Sequence, residues 1–255
     1  MLPLAVGLSL AVGAAWWAIT LRQETSRPSV LRDNGREWVV GSETSPILPD
    51  ELSAELRSAI TETLRTGRLA LPPEAATFAE SSRRFARRRS KPNAFRLHGP
   101  FATAVPDVSP RFSWTPVANA TAYRIHLQAT TGDATVTSAE LPPATTEWVP
   151  ATGILRPGAV YGWKLQALRD GQVAAEAPVP PEPEARFRVL EDEERRKWEG
   201  ERSTVGDSNL LRGIVAARAG LLEEAATEFR ALGRQNPRAE RARIFLEQVD
   251  TTSVR

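Results

Sequence analysis

His98 and His126 are the only imidazoles in the 255 residues, and cysteine is absent. Without cysteine the chain has no disulfides, thiolate nucleophiles or thiolate metal sites. His126 alternates with Ile125 and Leu127, so on a strand it points away from them, beside Arg124 and Gln128. His98 falls in a turn next to Gly99-Pro100. Nothing in their spacing brings the two rings to one metal or supplies an orienting partner. The chain also lacks a glycine-rich phosphate cradle, a nucleophile elbow and an acid–base pair at recognisable spacing. The expectation is therefore no catalytic residue, no cofactor and no metal.

The chemistry that remains is electrostatic. Arg83, Arg84, Arg87, Arg88, Arg89 and Lys91 crowd a segment read as a linker over 80–93, with Phe85 among them. Such a cluster can face anionic headgroups, at about 1 kcal/mol per basic residue near the surface, or nucleic-acid phosphates. The plainer reading is a solvated segment, or arginines paired with acidic groups elsewhere in the protein. For the whole chain, 33 Lys and Arg against 31 Asp and Glu leave a net charge of +2, too small for a general field, so nucleic acid is not the expected partner.

The elements around these residues fall into two periods. Between 94 and 190, RFSWTP, AYRIHLQA, TEWVP, YGWKLQAL and ARFRVL alternate large apolar with polar residues and are bounded by Pro, Gly, Asn or Asp. Tyr123, Ile125 and Leu127 share one face, and Trp163, Leu165 and Ala167 share another. Trp114, Trp148 and Trp163 are read as core bulk in preference to a ligand-stacking face. Strand signals are weak from Thr130 to Leu141, and Ala177 to Pro183 form a proline-rich insertion before the last strand. Trp114 in the second strand, Tyr123 in the third, and Leu155-x-Pro157-Gly158-x-x-Tyr161 before the penultimate strand resemble a fibronectin type III domain. That resemblance implies a two-sheet sandwich of about seven strands, with the Tyr161 hydroxyl bonded back to the preceding backbone at a corner.

Beyond Leu190 the period lengthens to about 3.6. EDEERRKWEGER predicts a charged connecting helix within 191–205, with Trp198 as its large apolar contact. Leu210, Leu211, Ile214 and Val215 form a helical stripe broken at Gly220. Leu222, Ala225, Ala226, Phe229 and Leu232 resume it up to Asn236-Pro237, and Ala242, Ile244, Phe245 and Val249 carry a third helix. Gly213, Ala216, Gly220, Ala225, Phe229, Leu232 and Pro237 resemble the packing positions of a tetratricopeptide repeat, while Asn209 and Arg212 stand where that pattern has large apolar residues. One helical pair cannot bury its own apolar face, so 206–250 must lean on the third helix, the sandwich or a partner. Gly220, Ala225, Phe229 and Arg212 are the candidate partner-binding residues on that reasoning.

Two further segments precede the sandwich. Leu2 to Ile19 is an uncharged apolar run ending near Trp16, Trp17 and Arg22; as a helix it spans roughly 27 Å, so residues 1–22 are read as a single-pass membrane anchor. Arg22, Arg27, Arg32 and Arg36 follow the span and argue for a cytoplasmic bulk. The family resemblances argue for an extracytoplasmic one. Within 28–79, Asp33-Asn34-Gly35 predicts a tight hairpin, and Leu52, Leu56, Ala59, Ile60 and Leu64 predict a helix started by Pro49-Asp50 and stopped by Gly67. That module packs either on itself or on the sandwich.

The expected fold is therefore multi-domain α+β: anchor, hairpin-plus-helix module, fibronectin type III-like sandwich and tetratricopeptide-like helical hairpin. The chain resembles bacterial envelope proteins that couple such a sandwich to such a hairpin, which implies a non-enzymatic, membrane-anchored scaffold with a protein partner. The alternative is a membrane-bound regulator of the anti-sigma type whose extracytoplasmic part senses a ligand or partner. A third reading, carbohydrate binding through the sandwich face, rests on fold analogy.

Overall fold

The computed structural model describes residues 28–77, 96–131, 135–178 and 185–250, and the architecture is mixed α+β. The expected anchor (1–22) and the basic cluster from Arg83 to Lys91 lie outside the described residues. Among the described residues no helix is long and apolar enough to cross a membrane.

The middle of the chain forms two facing sheets. One has three strands in the order β3 (Leu97–Gly99), β5 (Phe112–Trp114), β8 (Glu147–Trp148). The other runs β4 (Thr103–Val105), β11 (Ala185–Val189), β9 (Val160–Arg169), β6 (Ala122–Ala129), β7 (Thr135–Thr137). In this second sheet β10 (Gln172–Ala177) and β11 share one edge of β9, β10 pairing with Leu165 to Arg169 and β11 with Val160 to Trp163. The proline-rich insertion thus divides one edge line into two strands. Alternation places Tyr123, Ile125, Leu127, Trp163, Leu165 and Phe187 inside, each at most 1% exposed. Phe112 packs edge-on against Trp163 at 4.9 Å. The Tyr161 hydroxyl accepts the Arg156 N–H at 2.9 Å, the expected corner bond, and Tyr123 accepts the Val117 N–H at 2.7 Å.

Four local readings are corrected. His98 lies in β3, not in a turn. The first helix, α1 (Ala54–Thr66), is started not by Pro49-Asp50 but by Ser53, whose hydroxyl accepts the Leu56 N–H. Strands β4 and β10 were not anticipated: β4 is only three residues long, and the alanines of β10 carry little alternation. Gly67 does end α1, at φ 69° with its N–H on the Thr63 carbonyl.

The two segments flanking the sandwich in sequence share a single core. Strands β1 (Ser29–Asp33) and β2 (Arg36–Val40) form the Asn-Gly hairpin. Its inner face, Leu31, Trp38 and Val40, packs in one cluster with Leu56, Ile60 and Leu64 of α1. The same cluster takes in α2 (Asp192–Thr204), α3 (Asn209–Arg218), α4 (Leu222–Gln235) and α5 (Glu240–Val249). Residues expected to form separate modules at 28–79 and 206–250 therefore make one helical body, into which the sandwich is inserted.

Candidate protein-interaction cleft

The helical body is held by side chains that satisfy helix ends across long sequence distances. Asp33, fully buried at the hairpin turn, accepts from the Ser208 hydroxyl at 2.5 Å and from the backbone N–H groups of Asn209 at 3.0 Å and Leu210 at 3.1 Å. A carboxylate at a helix N-terminus meets both the unpaired N–H groups and the positive end of the dipole. Asn209, one of the two departures from the repeat pattern, also gives its side-chain N–H to Asp33 at 3.0 Å. The other departure, Arg212, is half-buried and donates through Nε to the Gly206 carbonyl. Asn209 is polar because the N-terminal hairpin docks there, and Arg212 because it ties the turn before α3 to the helix. At the residue next to Asp33, the Asn236 amide accepts from Arg32 N at 2.8 Å and donates to Arg32 O at 2.6 Å, closing the outer edge of β1 there.

The sandwich joins this body at the turn between α3 and α4. Gly220, at φ 78°, gives its carbonyl to Ala104 N at 2.9 Å. A side chain at residue 220 would be strained by that φ, and its Cβ would meet Ala75 and Ala104. Thr103 caps α4 from outside, its hydroxyl accepting the N–H of Leu222 at 2.8 Å. Beside it Glu223, partly buried, accepts the Phe101 N–H at 3.0 Å. Burial raises its carboxyl to about 7; the Phe101 bond and the Arg230 charge oppose the shift without cancelling it.

The candidate partner-binding residues are thus placed as follows. Gly220 is in the sandwich joint; Ala225 and Phe229 are fully buried between helices. Phe229 stacks on Phe245 at 5.4 Å, and a Cβ at Gly213 would come within 2.5 Å of its ring. The apolar face of the helical pair is therefore covered by the chain's own hairpin, sandwich and third helix.

An opening remains between α4 and α5. It is a cleft of about 380 Å³ lined by Leu246 and the small residues Gly233, Ala239 and Ala242, with the buried Phe229 behind them. Arg230, Arg234 and Arg243 line it. Arg230 pairs with Asp250 at 3.5 Å, and Arg243 with Glu240 and Glu247 at 3.2 and 2.8 Å. Arg234, in the last turn of α4, makes no ion pair among the described residues. Basic groups at a helix C-terminus also complement its dipole. The open, largely apolar cleft with its arginine rim fits a ligand combining apolar and acidic groups. The signal in the sequence was the spacing of Arg230 and Arg234, four apart beside Phe229 and Gly233.

The remaining groups offer little chemistry. His126 is held between Thr137 Oγ1 at 3.0 Å and Gln166 Oε1 at 2.9 Å on the outer sheet face. No cluster of three or more His, Cys, Asp or Glu able to hold a metal occurs among the described residues. Glu223 shares a second cleft, of about 370 Å³, with Glu224 and Glu228, but Glu223 is engaged by Phe101 and Glu224 by Arg202 at 3.2 Å. No family model matches the chain, and a search of the curated proteins finds none similar to it.

Proposed function

We propose that this chain is a non-enzymatic protein-interaction scaffold of the bacterial cell envelope, tethered through residues 1–22. The observation carrying this reading is the α4–α5 cleft, largely apolar and arginine-rimmed, on a helical body fixed by Asp33, Asn236 and the sandwich joint. Its partner is a protein segment that carries acidic and apolar side chains together. The fibronectin type III-like sandwich acts as a rigid spacer and the tetratricopeptide-like helices as the docking end. The test is crosslinking in intact cells followed by isolation of the tagged full chain from membranes. Neutralising charge in Arg234→Gln with Arg243→Gln should remove the crosslinked partner and leave membrane attachment and the fold intact, with the loss of the Arg243 pairs to Glu240 and Glu247 lowering the melting temperature only slightly. An unchanged partner set would displace the cleft from this role, and a wild-type protein recovered whole from the soluble fraction would remove the tether.

A further inference from the structure

The β1–β2 hairpin has two edges, and the chain treats them differently. Because Asn236 bonds both backbone groups of Arg32, Arg32 faces away from β2, and the register pairs it with Glu37. Antiparallel pairs alternate between bonded and non-bonded, so Glu37 and, two residues on, Val39 direct their N–H and C=O groups to the outer edge of β2. The next outward residue, Gly41, is closed off, its N–H donating to the Leu64 carbonyl at 2.7 Å. A short opening of defined register is left, the backbone of Glu37 and Val39.

Alongside this opening lies a cleft of about 640 Å³, between the strand and the 44–49 segment. It is lined by Val39, Ile47 and Leu48, with Arg36 at the same strand. Ile47 is 96% exposed and Val39 46%, and Val30, the cross-strand partner of Val39, is 53% exposed. Glu37 already pairs with Arg32 at 3.5 Å, whereas Arg36 makes no ion pair among the described residues.

We infer that the outer edge of β2 is a strand-addition site for an extended segment of a partner protein, with an acidic side chain opposite Arg36 and an apolar one beside Val39 and Ile47. Only an extended backbone offers donors and acceptors at two-residue spacing to meet Glu37 and Val39; a helix has used its own. Charge selects the partner over a second copy. Antiparallel self-pairing centred on Trp38 would set each Arg36 opposite Val40 and leave both guanidiniums without a carboxylate. This site is separate from the α4–α5 cleft, so failure of either leaves the other standing.

The test titrates full-length protein, in detergent, with a panel of synthetic hexapeptides that alternate Val and Thr and carry Asp at either end. Amide exchange and nitrogen-proton spectra are followed at Glu37 and Val39. Strand addition slows exchange at those two amides at least tenfold. Arg36→Glu weakens the Asp peptides at least fivefold, and replacing their Asp with Lys restores binding to that variant. Ile47→Asp weakens binding without altering the melting temperature, which separates docking from folding. Unprotected amides across the whole panel overturn the proposal. So does protection that rises with protein concentration in the absence of peptide, which would assign the edge to self-association.

Discussion

In the sandwich, the tyrosine hydroxyls find their partners near in sequence and the buried Trp163–Pro100 bond spans 63 residues; in the helical body the partners come from opposite ends of the chain. Tyr161 bonds a backbone group five residues away and Tyr123 one six residues away. By contrast Asp33 reaches 177 residues to Leu210, Asn236 reaches 204 to Arg32, and Gln248 reaches 179 to Leu69. Both regions have a buried apolar core, yet only the second depends on polar groups delivered from the opposite end of the chain. A strand sandwich covers its inner faces with its own two sheets. A lone helical pair has an unsatisfied face and unsatisfied helix ends, and here the N-terminal hairpin supplies both.

The sharpest way to break this contrast is to damage each region separately. Trp114→Ala should cost about 3–5 kcal/mol through the cavity left in the sandwich. Asp33→Ala should cost about 3 kcal/mol by stranding the buried donors of Ser208 and Leu210. Read by hydrogen exchange, the first should open β6 and β9, and the second should open the hairpin together with α3 while β6 and β9 stay protected. Simultaneous opening of everything in Asp33→Ala would mean that the two regions form one cooperative unit.

The joint between the regions gives a pH test. The folded protein holds Glu223 at about 7, above its ordinary 4.5, so it binds a proton that the unfolded chain has released. Stability is therefore full below about pH 4.5 and falls as pH rises through 7. The loss is about 1–2 kcal/mol, less than the full linkage value because the side chain is partly exposed. Glu223→Gln should flatten that slope, as seen in denaturation midpoints between pH 4.5 and 8. A slope that survives the substitution would assign it to another group.

The smallest effect belongs to the sandwich corner. Tyr161→Phe should cost about 1 kcal/mol, the worth of one hydrogen bond to a backbone N–H, with no change in exchange at α3. Any loosening of α3 in that variant would blur the division between the regions.

The same contrast explains what could be read from the residues in order. Period-two alternation placed Tyr123, Ile125, Leu127, Trp163 and Leu165 inside, because face selection on a strand is a local property. The stripes of α3 to α5 and the stop at Gly67 were legible for the same reason. The joining of 28–79 to 206–250 was not, since Asp33 in an Asp-Asn-Gly turn looks like turn chemistry alone and carries no mark of its distant helix. The rim arginines carry no mark of their role either: their spacing is visible, but the cleft they surround exists only once α4 and α5 have packed.

The hairpin's dependence on α3 also sets a timetable. Ribosomes add about 5–20 residues per second, so Asp33 waits roughly 10 to 40 s for residues 208–210 to be made. In that interval the sandwich, whose strands are all complete by Val189, is already able to fold. The newborn chain then carries a finished central domain flanked by a hairpin whose Leu31, Trp38 and Val40 have only α1 to cover them, a form on which chaperones or premature association would act.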